Sequence, residues 1–227
     1  MQASQKEVTT IEVVSDVVCP WCFIGKRRLE KALALLGRND VRVRWRPFEL
    51  NPGIAPEGVN REQHRIRKFG SLARARQLEA HVAAAGAEEG IRFQFDRIET
   101  TPNTFDAHRL LWLADREGKQ DELAERLFQA YFIDGEDVGD HAMLKRAAIA
   151  SGLNGDAVSR MLSGDQGEAE VLADESETRS RGVNGVPTFF VDGIPITSGA
   201  QPPAVLASLL GPVLAPAERC SLEDANC

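Results

Sequence analysis

Val8-Thr9-Thr10-Ile11-Glu12-Val13-Val14-Ser15-Asp16-Val17-Val18-Cys19-Pro20-Trp21-Cys22-Phe23 changes character midway, and that change sets the fold. From Glu7 to Val14 the chain is rich in β-branched residues, which suits a buried strand. Asp16 to Cys19 reads as a short turn. From Pro20 the pattern becomes helical: Cys22, Phe23, Leu29, Ala32, Leu33 and Leu36 recur at helical spacing, and Gly37 is a natural stop. Val41, Val43 and Trp45 then alternate with Arg42, Arg44 and Arg46 in a half-buried strand ending at Pro47. The result is a β-α-β unit, whose strands are expected to run parallel with a right-handed crossover.

Outward from this unit, a Pro- and Gly-bearing loop from Pro47 to Gly58 leads into about a hundred residues of helical character, on the 3.6-residue period. Helices are expected near Asn60–Ala87 with an interruption at Gly70, and at Thr104–Glu117, Gln120–Phe132, His141–Ser151, Gly155–Leu162 and Asp165–Arg181. Strand character returns at Thr188–Val191. Asp192-Gly193 turns the chain into Ile194–Thr197, which makes a hairpin, and a helix follows from Pro202 to Leu210. This order predicts an α/β protein: a thioredoxin fold with a large inserted helical domain. Residues 7–57 plus 165–211 form the discontinuous thioredoxin-like domain, 58–164 the insertion, and 212–227 a C-terminal tail.

The composition is that of a folded soluble domain: 227 residues, 43% hydrophobic and 27% charged. A net charge of −7 argues against bulk electrostatic binding to nucleic acid or to an anionic membrane. The uncharged stretch Gly193–Ala217 is long enough to span a bilayer, but it carries five prolines, Pro195, Pro202, Pro203, Pro212 and Pro216. Met1–Thr10 has no apolar core of a secretory signal, so a cytoplasmic location is expected. Four cysteines are too few for a disulfide scaffold. In a reducing compartment, thiols at short spacing point to catalysis or metal binding.

Cys19-Pro20-Trp21-Cys22 stands where the first strand meets the first helix. Pro20 suits the first helical position, which puts Cys19 at or beside the N-cap. There the unpaired amides and the positive end of the helix dipole favour a thiolate, making Cys19 the nucleophile. Cys22, three residues on and on the same face, is within reach of an intramolecular disulfide and can resolve a mixed disulfide at Cys19. A zinc site needs two more ligands, and Cys220 and Cys227 are too widely spaced for a second tight knuckle, so no metal is expected. Pro20 and Trp21 shape the lip of the site, and Asp16 is the nearest acidic residue.

Asp16-Val17-Val18-Cys19-Pro20-Trp21-Cys22-Phe23-Ile24-Gly25-Lys26, Pro102-Asn103-Thr104-Phe105-Asp106-Ala107-His108-Arg109-Leu110, Gly185-Val186-Pro187 and Ser198-Gly199-Ala200-Gln201 together resemble the DsbA family of thiol:disulfide oxidoreductases, in particular its FrnE-like branch. The resemblance covers roughly Val8 to Leu210. It implies a cis Val186-Pro187 bond facing the Cys19 sulfur, with the Val186 backbone pairing with an extended substrate segment. The same motifs are similar to kappa-class glutathione transferases and hydroxychromene-carboxylate isomerases, which typically carry Ser in place of the first cysteine and lack the second. Both sulfurs are present here, which favours redox chemistry.

Other residues carry weaker signals. Many thioredoxin-like proteins hold a buried acid six residues before the first cysteine, where it helps proton transfer at the second; this chain has Val13 there, and Asp16, the nearest acidic candidate, is expected as a turn or cap residue, with proton transfer as its functional alternative. His108 shares a helical stripe with Thr104 and Trp112 and is expected to be packed, and Asn103 and Thr104 to cap that helix. Arg61–Arg76, with Arg65, Arg67, Lys68 and Arg74, reads as a solvated basic face, with anionic-substrate binding as its functional alternative. Cys220 and Cys227 are candidates for a second redox pair.

The expected activity is thus cytoplasmic thiol:disulfide exchange on protein or peptide substrates, with thioredoxin or glutathione as reductant. No cofactor is required, glutathione being the candidate co-substrate. No nucleic acid or membrane partner is expected. The alternatives are a glutathione-dependent isomerase or transferase and a peptide-binding chaperone.

Overall fold

The structure is a computed structural model that describes residues 9–215. Its central sheet has the order β2-β1-β5-β6, from β1 (Thr10–Ser15), β2 (Arg42–Pro47), β5 (Thr188–Val191) and β6 (Ile194–Ser198). β1 and β2 are parallel, with Ile11 opposite Val43 and Val13 opposite Trp45, as the β-α-β reading requires. β5 runs antiparallel to β1, placing Phe189 opposite Val13, and pairs with β6 as a hairpin turning at Asp192 and Gly193. Both turn residues have positive φ, 45° and 79°, so the Asp-Gly pair is what this tight turn demands.

Side chains alternate across a strand, so Val13 and Val14 face opposite sides. Val13, Ile11, Trp45 and Phe189 join the main core, while Val14 packs with Phe48, Val183 and Phe190 in a smaller cluster. With both faces covered at this point, Val13 and Val14 stand side by side as buried apolar residues instead of alternating with polar ones. α1 (Pro20–Leu35) begins on Pro20 with Cys19 at its N-cap, and Gly37 adopts φ 63° just beyond its end. α9 (Pro203–Leu214) packs along α1.

Between β2 and the last strands lie α2 (Arg61–Phe69), α3 (Leu72–Glu88), α4 (Phe105–Arg116), α5 (Gln120–Gln129), α6 (His141–Ala150), α7 (Gly155–Ser163) and α8 (Glu168–Ser180). The break at Gly70 falls as expected: Gly70 has φ 86°, and the Ser71 hydroxyl accepts from the Arg74 amide at 3.1 Å to start α3. Three differences from the sequence reading have physical causes. α5 stops at Gln129 and the next turn, Ala130–Asp134, widens to a π-helix, which buries Tyr131 and Phe132. A two-residue pairing of β3 (Val59–Asn60) with β4 (Thr100–Thr101) is too short to leave a periodic signal. α9 continues past Leu210 because Leu206, Leu210 and Leu214, four residues apart, are all buried; the helix thus includes Pro212, and the tail begins later than residue 212.

Glu7 and Val8, and the tail pair Cys220 and Cys227, lie outside the described residues. Among the described residues no helix is long and apolar enough to cross a membrane.

Candidate active site

Cys19 sits at the N-cap of α1 in an extended conformation, held by a tight turn in which its amide donates to the Asp16 carbonyl at 3.0 Å. It is 4% exposed, and its thiol donates to the Val186 carbonyl at 3.6 Å. The Val186-Pro187 peptide is cis. The structure thus brings together Cys19, Cys22, Val186 and Pro187, four residues spread over most of the sequence. Gly25 makes the approach possible: a Cβ there meets the Pro187 Cγ at 2.9 Å. A Gly25→Ala variant should therefore push the Pro187 loop off Cys19, costing about 1–3 kcal/mol of stability and slowing exchange. Denaturant unfolding and single-turnover thiol exchange check this; unchanged values in both count against the contact.

Cys22 is fully buried. Burial pushes its thiol well above the ordinary value, the neighbouring Cys19 adds to this, and bonds from the Ser15 hydroxyl and the Asp16 amide oppose it. Cys22 therefore stays a thiol at neutral pH. This asymmetry suits an outer attacking sulfur and an inner resolving one.

Beside Cys19 opens a cavity of about 440 Å³, whose walls include Trp21, Val186, Phe95 and Tyr131. One wall is cationic. Arg61, His64, Arg65 and Lys68 stand at helical spacings of three, one and three along α2, which turns them toward the same side. Arg61 pairs with Glu79 at 2.7 Å, Arg65 pairs with the same carboxylate, and Lys68 donates to Asn51 at 3.1 Å. Glu79 is the single acidic residue in the lining, so the wall remains positive. The His64 Nε2 is buried without a hydrogen-bond partner, and burial together with Lys68 and Arg67 pulls its pKa below the ordinary imidazole value. The expectation of a solvated basic face therefore divides: Arg67, Arg74 and Arg76 are exposed and do not line the cavity, whereas Arg61, Arg65 and Lys68, the last also exposed, line it. Trp21, expected at the lip, lies against His81 with ring centroids 5.9 Å apart.

Asp16 does form a turn, accepting from the Val18 amide at 3.3 Å, but it is also wholly buried and accepts from the Leu50 amide at 2.7 Å. His108 is packed as expected, with its Nε2 3.6 Å from Asp16. Asn103 caps α4 by accepting from the Phe105 amide at 2.9 Å, while Thr104 makes no side-chain cap. Sequence reasoning missed Glu49 and Glu175, both buried beside this pair. Each lies where no short motif marks it, one after β2 and the other on α8.

The chain matches the DsbA-like thioredoxin domain family over residues 10–211. It is 27% identical over 191 residues to the uncharacterized protein YwbO of Bacillus subtilis (strain 168), covering 84% of this chain and 90% of that one. Among solved structures, a probable DsbA oxidoreductase from Streptomyces coelicolor superposes with a TM-score of 0.85 at 34% identity, covering 96% of this chain and 95% of the other. The cytosolic disulfide reductase DsbM of Pseudomonas aeruginosa shares the fold, with a TM-score of 0.62 at 17% identity over 90% of this chain and 98% of its own.

Proposed function

We infer the activity of this chain from one premise: it belongs to the DsbA-like thioredoxin domain family. On that premise we propose a thiol:disulfide oxidoreductase in which Cys19 attacks, Cys22 resolves, and Val186 with Pro187 presents the substrate disulfide. Pro20 and Trp21 border the attacking sulfur. The observation that carries this reading is the pair of thiols with opposite settings, Cys19 at a helix N-cap under the Val186 carbonyl and Cys22 sealed behind it. An isomerase or transferase has no use for a buried second thiol. We place the reaction in a reducing compartment, the cytoplasm, where the dithiol form is maintained and the protein acts as a reductase.

The cavity suggests the co-substrate. At about 440 Å³ it suits a small ligand, and its cationic wall suits one bearing carboxylates. Glutathione has that size and charge, and DsbM of Pseudomonas aeruginosa has been solved with GSH. A peptide disulfide extending along Val186 uses the same entrance. The test is to mix the reduced wild-type chain with glutathione disulfide or a disulfide peptide and follow the conversion of Cys19 and Cys22 to a disulfide by mass. Conversion within the mixing experiment is expected. A chain that stays reduced with both substrates overturns the reading. An Arg65→Ala variant should raise KM for glutathione disulfide about five- to tenfold while leaving the peptide reaction nearly unaltered, the loss of roughly one charge-assisted contact. Equal effects on the two substrates would deny the cationic wall its role.

A further inference from the structure

Opposite the cationic wall of α2, the cavity beside Cys19 is lined by α3. Ala75, Leu78, Glu79 and Val82, at spacings of three, one and three, share one side of that helix, with His81 at the lip against Trp21. Glu79 is the only carboxylate in the stripe, and its side chain is 18% exposed. A carboxylate so placed is costly to desolvate unless it is paired. Glu79 is paired twice: Oε1 accepts from the Arg61 Nη2 at 2.7 Å, and Oε2 accepts from the Arg65 Nη2.

The two guanidiniums are held differently. Arg61 has a second anchor, because its Nη1 donates to the Phe95 carbonyl at 3.2 Å and its guanidinium lies 5.7 Å from the centre of the Phe95 ring. Among the described residues Arg65 is anchored by Glu79 alone. Burial pulls the Arg65 pKa below the ordinary guanidinium value; Glu79 opposes this, Arg61 and Arg76 add to it, and the net direction is down. One negative charge thus stands between two positive ones, and the cluster is short of negative charge. A guanidinium also offers more N–H donors than a single carboxylate oxygen uses. An anion entering the cavity can therefore bind Arg65, but there it meets the like charge of Glu79.

We propose that Glu79 is a specificity-determining residue of this cavity: its carboxylate is a built-in counter-ion of Arg61 and Arg65, which a ligand carboxylate must share or displace in order to bind. Displacement leaves Arg61 on its Phe95 contacts and turns Arg65 to the ligand. Glu79 acts through the two guanidiniums, so it is a positioning residue, and it limits how tightly any carboxylate is held. A co-substrate that has to leave after each exchange needs such a limit. The proposal rests on the co-substrate reading of the cavity given above and adds to it the residue that restrains affinity for anions.

The probes are S-methylglutathione and its dimethyl ester, which lacks both carboxylates, with binding to the full chain measured by calorimetry. Glu79→Gln keeps the length of the side chain and one acceptor oxygen but removes the charge. The ratio of the two dissociation constants should move about fivefold in favour of S-methylglutathione relative to the wild type, the upper end for a solvent-screened charge pair. Glu79→Asp, which restores the charge, should bring the ratio back toward the wild-type value. Damage to the cavity weakens both probes together, so a selective gain for the anionic one has no merely structural explanation. An unaltered ratio in folded Glu79→Gln, or one moved toward the ester, overturns the proposal, as does a failure of S-methylglutathione to bind either protein. Should Glu79→Gln not fold, carbon-13 NMR of the wild-type side-chain carboxylates decides. A Glu79 signal displaced by S-methylglutathione and not by the ester supports the exchange of counter-ions, and a signal displaced by neither or equally by both overturns it. A thioether takes no part in disulfide exchange, so this result and the mass-shift test of the thiol:disulfide reading can fail separately.

Discussion

Cys19→Ser should abolish thiol:disulfide exchange, a loss of at least about 10³-fold on the scale seen when a nucleophile is removed. The wild-type sulfur stands at the N-cap of α1 beside the Val186 carbonyl, and a serine hydroxyl in the same place cannot form the mixed disulfide through which exchange proceeds. Cys22→Ser should behave differently. Attack at Cys19 proceeds, one substrate thiol is released per protein molecule, and the reaction halts at a mixed disulfide because the buried position no longer supplies a resolving sulfur. The measurement is thiol release in single turnover together with the mass of the trapped adduct. Residual turnover in Cys19→Ser, or sustained turnover in Cys22→Ser, removes the dithiol mechanism. The second outcome points to the isomerase or transferase chemistry, which needs no resolving sulfur.

The parts of this site that follow from local sequence were readable in advance. A strand entering a helix through Pro20 places Cys19 at the N-cap wherever the chain goes next, and the Asp192-Gly193 turn makes its hairpin without help from the rest of the fold. What depends on long-range packing was not readable. Arg61, His64, Arg65 and Lys68 share a helical side by their spacing alone, but the spacing does not say whether that side meets solvent or Cys19; only the docking of α2 decides it. Asp16 reads as a turn residue because it is one, and its second environment arises from His108, 92 positions later in the chain and 3.6 Å away in space. Glu49 and Glu175 lack a local pattern altogether, since a buried carboxyl is recognisable only by what surrounds it. The widening of the helix at Ala130–Asp134 belongs to the same class: apolar periodicity continues to Phe132, and the backbone yields to the packing of Tyr131 and Phe132.

Phe23→Ala should lower unfolding stability by about 3–5 kcal/mol, the cost of emptying a buried aromatic site. Phe23 is 2% exposed and follows Cys22 on α1. Its ring stacks on Phe128 at 5.2 Å and 8°, lies 6.3 Å from Phe132, meets Phe93 edge-on at 6.1 Å and carries the Arg27 guanidinium at 5.0 Å. Phe128 belongs to α5, Phe132 to the π-turn and Phe93 to the segment after α3, so one side chain fastens the cysteine helix to three parts of the inserted helical region. Aromatic pairs contribute about 0.5–1.5 kcal/mol each beyond the area they bury, which places this site toward the upper end of the range. Against a total stability of about 5–15 kcal/mol, such a loss leaves the native state much less favoured. Urea unfolding followed by far-ultraviolet circular dichroism measures it. A single transition moved to lower denaturant shows that helix α1 and the inserted helices unfold together, whereas a split transition shows that Phe23 was their link. A loss below about 1.5 kcal/mol contradicts the prediction, because it requires the surrounding rings to collapse into the space. The cavity would also lie directly beside Cys22, whose raised proton affinity comes chiefly from burial. Water admitted there should lower that affinity, so the Cys22 thiol of Phe23→Ala should react with iodoacetamide faster than that of the folded wild type.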